Sequence, residues 1–183
     1  KGPLFFTDTH VQNNPSAEQI AEATIQAAFR LKLFGIAPKV ALVCHSNFGA
    51  SDAPSARKMR EALQLILQRA PRLEVEGEMH VDAALMPEVR ERMFPDSRLT
   101  GAANLLVLPD LDAANAAYNL TRVMTDGIGI GPILMGMAKP AHVLTPSATV
   151  RTNEPRGKST SSEETRPCST RNAMRERYSR GVA

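Results

Sequence analysis

"KVALVCHSNFGASDAPSARKMREAL", residues 39–63, contains the transition that decides the fold. Its first six residues form an unbroken apolar and β-branched run behind Pro38. A run without alternation is expected of a central strand covered on both faces. From Ser55 onward Met59, Leu63, Ile66 and Leu67 recur at helical spacing, so an amphipathic helix follows, with Asp52 or Ser55 expected as its cap. Between strand and helix lies a small, polar loop: His45, Ser46, Asn47, Gly49 and Ser51. The loop is open to two readings. Its N–H groups and the hydroxyls of Ser46 and Ser51 present themselves to an anion at the helix start, where the helix dipole assists, or it is only a well-capped turn. It is neither a P-loop nor a dinucleotide fingerprint, because it lacks a Gly-Lys-Ser/Thr ending and the three-glycine spacing.

Working outward, the same alternation of strand and helix recurs. Ser16 and Gln19 form a capping box before Ile20, Ala23, Ala27, Leu31 and Phe34, and Gly35 is a stop signal, predicting a helix over about residues 17–34. "EVEGEMHV", 74–81, alternates more weakly and is read as a strand. Leu105 to Leu108 form a buried strand, Pro109 to Leu111 a turn, and Asp112 the cap of a helix running to about Met124. "IGIGPILMGM" and "AHVLT" supply two further short strands. The fold class expected is α/β, a wound and largely parallel sheet flanked by helices, with right-handed crossovers and with ligands where loops leave the carboxyl ends of strands.

After Val150 the composition changes. Residues 151–183 are rich in Arg, Ser, Thr, Glu and Pro without apolar periodicity, as a disordered tail is expected to be. The domains expected are therefore an α/β unit over 1–150 and a polar basic tail over 151–183. The formal net charge is +3, yet residues 1–150 carry 14 Lys+Arg against 15 Asp+Glu and residues 151–183 carry 8 against 4. The basic excess belongs to the tail, so nucleic acid is not an expected partner. No apolar run nears the roughly 20 residues of a membrane span, and the start has no signal-peptide pattern. Lys1 in place of Met leads us to expect a piece of a longer chain. Cys44 and Cys168 suit neither a disulfide framework nor a metal spacing, and a reducing cytoplasm is expected.

Few side chains stand out chemically. Asp110, at a strand end, is a candidate base or ligand, whereas Asp112 is more simply a cap. His10, His45, His80 and His142 are scattered, with no metal spacing. The glycines of "GIGIGP", 127–132, precede a strand and not a helix, which favours a structural role.

Read together, "FFTDTHVQNNPSAEQIAEATIQAA", "VEGEMHVDAAL", "FPDSRLTGAANLLVLPDLDAANAAYNL" and "IGPILMGMAKPAHVLTPSATVR", with the opening stretch, are specific. Over about residues 3–151 they resemble the phosphate acetyltransferase-like domain of multidomain bacterial NADP-dependent malic enzymes. They are more distantly similar to phosphate acetyl- and butyryltransferases. The resemblance implies a CoA ester such as acetyl-CoA as ligand, held in a cleft between two α/β domains of which this chain is most of the second. It further implies a homo-oligomer, no cofactor in this piece, and NADP and a divalent metal only in the parent enzyme. Site residues implied for the ligand are His45, Ser46, Asn47, Gly49, Ser51, Asp110, Asn115, Thr145 and Ser147. Active transferases carry a Ser-Arg pair after the last motif and an Asp beyond it, whereas Thr145-Pro146 and Thr152 stand here. The expected outcome is binding without catalysis. Relatives also continue into an apolar helix where this chain turns polar at Thr152, which predicts an exposed apolar patch.

Overall fold

In the computed structural model, which describes residues 2–125, 128–137 and 141–142, every strand of the main sheet runs the same way. The chain divides into two units, one of residues 1–128 and 134–141 and the other of 129–133 and 142–183, and the main sheet lies in the first. Its four-stranded sheet comprises β1 (Phe5–Thr7), β2 (Lys39–Val43), β3 (Glu74–Met79) and β4 (Leu105–Val107), in the order β1-β4-β2-β3. All three pairings are parallel. The carboxyl ends of all four strands therefore share one edge of the sheet.

Helices α1 (Ala17–Leu33) and α2 (Pro54–Arg69) connect β1 to β2 and β2 to β3. Short α3 (Val81–Leu85) and α4 (Pro87–Met93) lead to β4, and α5 (Leu111–Met124) follows it. The central strand shows why the apolar run at 39–44 does not alternate. Val40 and Leu42 pack with Ile20, Leu31, Met59 and Ile66 of α1 and α2. Ala41 and Val43 face the other way, onto Ala83, Ala84 and Ala114 of α3 and α5. β4 and the residue after it divide likewise, with Leu105 and Val107 on the first side and Leu106 and Leu108 on the second. Two cores, one on each face, make this a three-layer α/β arrangement.

Several expectations need correction. The helix stripe loses Phe34, which is the C-cap of α1 and largely exposed. Neither Asp52 nor Ser55 caps α2: its N-cap is Ala53, without a side-chain hydrogen bond, and Pro54 begins the helix. Asp52 instead pairs with Arg60 at 3.0 Å. Asp112 does not cap α5; the carboxylate of Asp110 accepts from the N–H of Ala113 at 2.8 Å and does so. The strand expected to 81 stops at Met79, and Val81 starts α3. β1, α3 and α4 had no sequence signal strong enough to read. β5 (Ile133–Leu134) and β6 (Ala141–His142) exist, but they are two residues each and belong to a separate two-stranded sheet. The tail over 151–183 lies outside the described residues.

Gly77 shows how tightly β3 lies against β2. A Cβ there would stand 2.6 Å from the carbonyl oxygen of Leu42 and 2.7 Å from its Cβ, and the residue has φ +151°. Only glycine fits, at the point where the β2–β3 register shifts.

Candidate functional site

The loop that follows β2 is organised around an anion, and the anion is the protein's own. Glu78, on β3, is fully buried. Its Oε1 accepts from the hydroxyl of Ser46 at 2.7 Å, the N–H of Gly49 at 2.9 Å and Nη1 of Arg60 at 2.9 Å. Gly49 reaches it with φ +89°, a conformation glycine adopts without penalty. The Ser46 hydroxyl also accepts from the N–H of Ser51 at 3.0 Å, and Nη1 of Arg60 donates to the Ser51 carbonyl at 2.9 Å. Burial is the largest influence on Glu78 and pushes its carboxyl up. The hydrogen bonds from Ser46, from the N–H groups of Gly49 and Glu78 itself, and from Arg60 together outweigh it and hold the group below the ordinary value of 4.5. The carboxylate is thus the ionised partner of a charge-assisted cluster.

The outer side of the loop has different contacts. His45 is exposed and places Nε2 3.2 Å from the Ser51 hydroxyl and Nδ1 3.5 Å from that of Ser55. His80 Nε2 lies 2.9 Å from the His45 carbonyl, and Asn47 Oδ1 accepts from the N–H of His80 at 2.7 Å. Phe48, at φ +48°, is held by its N–H bond to the Glu78 carbonyl at 2.8 Å and by stacking on Phe94, centroids 4.5 Å apart. With Ala53 as N-cap, the first turn of α2 has no side-chain acceptor, and no acidic residue stands in it. Ser51 Oγ accepts from the N–H of Ala53 at 3.2 Å and Pro54 has no N–H, so among the described residues the N–H groups of Ser55 and Ala56, beside His45, are the ones the helix start leaves to an external anion.

The site residues implied by the sequence thus fall into groups. His45, Ser46, Asn47, Gly49 and Ser51 form one cluster: Ser46 is turned inward, Gly49 and Ser51 each give a backbone N–H to the inner side, and His45 and Asn47 make their contacts on the outer side. Asp110 and Asn115 belong to the β1–β4 end of the same sheet edge. Asn115 Nδ2 donates to the Thr9 carbonyl at 3.1 Å, and Asp110 lines a small cleft with Thr7, Asp8 and Gln12. The cleft holds about 20 Å³, room for about one water. Lys58 of α2 connects the two regions, donating to the Pro109 carbonyl and to Asn14 at 2.7 Å each. Burial pulls its ammonium below the ordinary value, and the nearby Asp110 charge opposes this. Thr145 and Ser147 lie outside the described residues. Sequence reasoning missed Glu78 and Arg60. The available signal was the run Glu74, Glu76, Glu78 on a strand whose other residues are buried: an acid on a core strand must find donors.

A parallel sheet with helices on both faces and a polar, strand-end loop defines the class: a wound α/β domain with its ligand side at the carboxyl ends of the strands. The EutD phosphotransacetylase from Staphylococcus aureus superposes with a TM-score of 0.76 at 30% identity, over 83% of this chain and 48% of that one. The family model for phosphate acetyl/butaryl transferase matches residues 1–153, and the chain belongs to that family. Among curated relatives it is 56% identical over 151 residues to the NAD-dependent malic enzyme of Rhizobium meliloti and 54% identical to the NADP-dependent malic enzyme of Escherichia coli. The match covers 82% of this chain and 20% of each malic enzyme, so the chain spans about a fifth of their length and corresponds to their phosphate acetyltransferase-like region.

Proposed function

We propose that the chain is the phosphate acetyltransferase-like module of a larger cytoplasmic malic enzyme, and that it binds acetyl-CoA or a related CoA ester without transferring the acyl group. The observation that carries this is the uncapped start of α2 beside the hydroxyls of Ser51 and Ser55 and the His45 imidazole. A phosphate of CoA meets N–H groups, hydroxyls and a positive dipole end there. The Glu78 cluster does not compete for these groups, because it uses the inner side of the loop.

Catalysis is not proposed because of the sequence downstream. Pro146 stands where active relatives have an Arg able to grip phosphate in two places, and Thr152 where they have a carboxylate. Charge stabilisation and proton transfer each contribute about two or more powers of ten in rate. Bound ligand then acts by favouring one arrangement of the parent's subunits, which requires a different affinity in each arrangement.

Thermal unfolding of the 183-residue chain tests binding. Acetyl-CoA at 100 times its Kd adds about 2.7 kcal/mol by mass action, and the midpoint should rise by several degrees. An unchanged midpoint at millimolar acetyl-CoA would overturn the proposal. Phosphate-dependent release of thiol from acetyl-CoA, expected to be absent, would instead establish a working acyltransferase. An assembly role is favoured by one feature, the exposed Leu120, Val123 and Met124 on α5; it predicts self-association with no response to acetyl-CoA.

A further inference from the structure

Glu78 has no place in the binding reaction as described, yet the loop is built on it. We infer that Glu78 is the positioning residue of the 45–53 loop: its carboxylate fills a cradle formed by Ser46, Gly49 and Arg60, and so sets the loop's affinity for the CoA ester. The inference rests on the proposed binding role and adds the residue that governs it.

The geometry is the first argument. Three donors from separate places converge on the single oxygen Oε1: a hydroxyl at the start of the loop, a backbone N–H at its tip, and a guanidinium from the second turn of α2. Arg60 also holds the loop's far end through the Ser51 carbonyl and the Asp52 carboxylate. Both ends and the middle of the loop are therefore referred to one negative charge on a neighbouring strand. Without that charge, a hydroxyl, an N–H and a guanidinium would be left around an empty acceptor position, and the loop would rearrange to satisfy them.

The second argument is the cost. Burying a carboxylate on a core strand is unfavourable unless it is fully paired. Here Oε2 is buried and, among the described residues, has no hydrogen-bond partner. An apolar residue at position 78 would avoid that cost, so a carboxylate there is explained by what it does to the loop. The surface that His45, Ser51 and Ser55 present is the outer side of the same structure. Ser51 belongs to both sides: its N–H points to the Ser46 cluster and its hydroxyl to His45.

The test uses the 183-residue chain with Glu78→Gln, which keeps the shape and removes the charge, and Glu78→Ala, which empties the cradle. Acetyl-CoA affinity is measured by calorimetry, and exchange of the Gly49 amide by NMR. Removing the charge weakens all three hydrogen bonds to Oε1, and passing part of that loss to the ligand surface predicts affinity about tenfold weaker in Glu78→Gln. Formate, a carboxylate small enough for the cradle, should restore Gly49 protection and affinity in Glu78→Ala, while chloride should not. A purely structural role for Glu78 predicts no such selective rescue. Wild-type affinity and unchanged Gly49 exchange in Glu78→Gln would overturn the inference. So would failure of formate in a folded Glu78→Ala; where that variant does not fold, the Glu78→Gln result decides. Should the wild-type chain not bind acetyl-CoA, the binding role fails by itself, and the Gly49 exchange data still judge whether Glu78 positions the loop.

Discussion

Arg90 is the largest fully buried side chain of the described residues, and it has no carboxylate partner. Its guanidinium instead donates to three backbone carbonyls, Ala83 at 3.0 Å, Leu99 at 3.1 Å and Gly101 at 2.7 Å, while Nε has no partner among the described residues. The three carbonyls belong to α3 and to the irregular segment that leads into β4, so one side chain fixes the crossover from β3 to β4. Replacing it by methionine keeps the stem and removes every donor. Each hydrogen bond to a charged group is worth about 1.5–3 kcal/mol, and a carbonyl left buried without a partner loses its solvation as well. Against this, the variant no longer desolvates a cation, which returns part of the sum. The balance is a loss of about 3–5 kcal/mol, or a thermal midpoint lower by roughly 10–15 °C for a unit of this size. Differential scanning calorimetry of Arg90→Met against the wild-type chain measures it. Arg90→Lys should recover only part, because an ammonium cannot span three carbonyls as a planar fork does. A fall of less than about 3 °C in Arg90→Met would refute the reasoning, since it would mean that the three carbonyls find other donors or that the buried cation costs as much as it contributes.

Two further predictions concern charge. Asp110→Ala removes the cap of α5 and should cost about 1 kcal/mol, whereas Asp112→Ala should change stability by a few tenths at most; urea titration of both variants distinguishes the cap from its neighbour. The Glu78 carboxyl titrates below its ordinary value of 4.5 when folded. Its contribution to stability is therefore fully present above that value and is lost as pH falls through the lower, folded one. Melting curves from pH 7 to pH 3 should show a steeper acid loss for the wild-type chain than for Glu78→Gln; parallel curves would contradict the assignment.

The legibility of this protein divides by distance along the chain. The capping box of α1 is complete in the structure, Gln19 N–H to Ser16 Oγ at 3.3 Å and Ser16 N–H to Gln19 Oε1 at 2.8 Å. It was readable because all its partners lie within four residues. The two-sided burial of β2 was readable for a similar reason, since an unbroken apolar run needs cover on both faces whatever provides it. The cap of α5 was misread by two residues: Asp110 and Asp112 are equally good caps in sequence, and the turn after Pro109 chooses between them. For α2 the abundance of Ser and Asp suggested a cap, but Asp52 is drawn off by Arg60 eight residues later. The most consequential miss was Glu78. In sequence it is one of three alternating acids on a weak strand, and its partners lie 32, 29 and 18 residues away.

By itself, then, the sequence determined the alternation of strands and helices, the parallel sheet that this implies, and the position of a polar loop at a strand end, because each is dictated by periodicity and by local hydrogen bonding. Only the tertiary structure decided which side of that loop is already occupied. Pairing β3 with β2 brings the Glu78 carboxylate under residues 46–51 and Arg60 beside it. A buried charge takes whatever donors the fold brings within about 3 Å, and no spacing along a chain records which those will be.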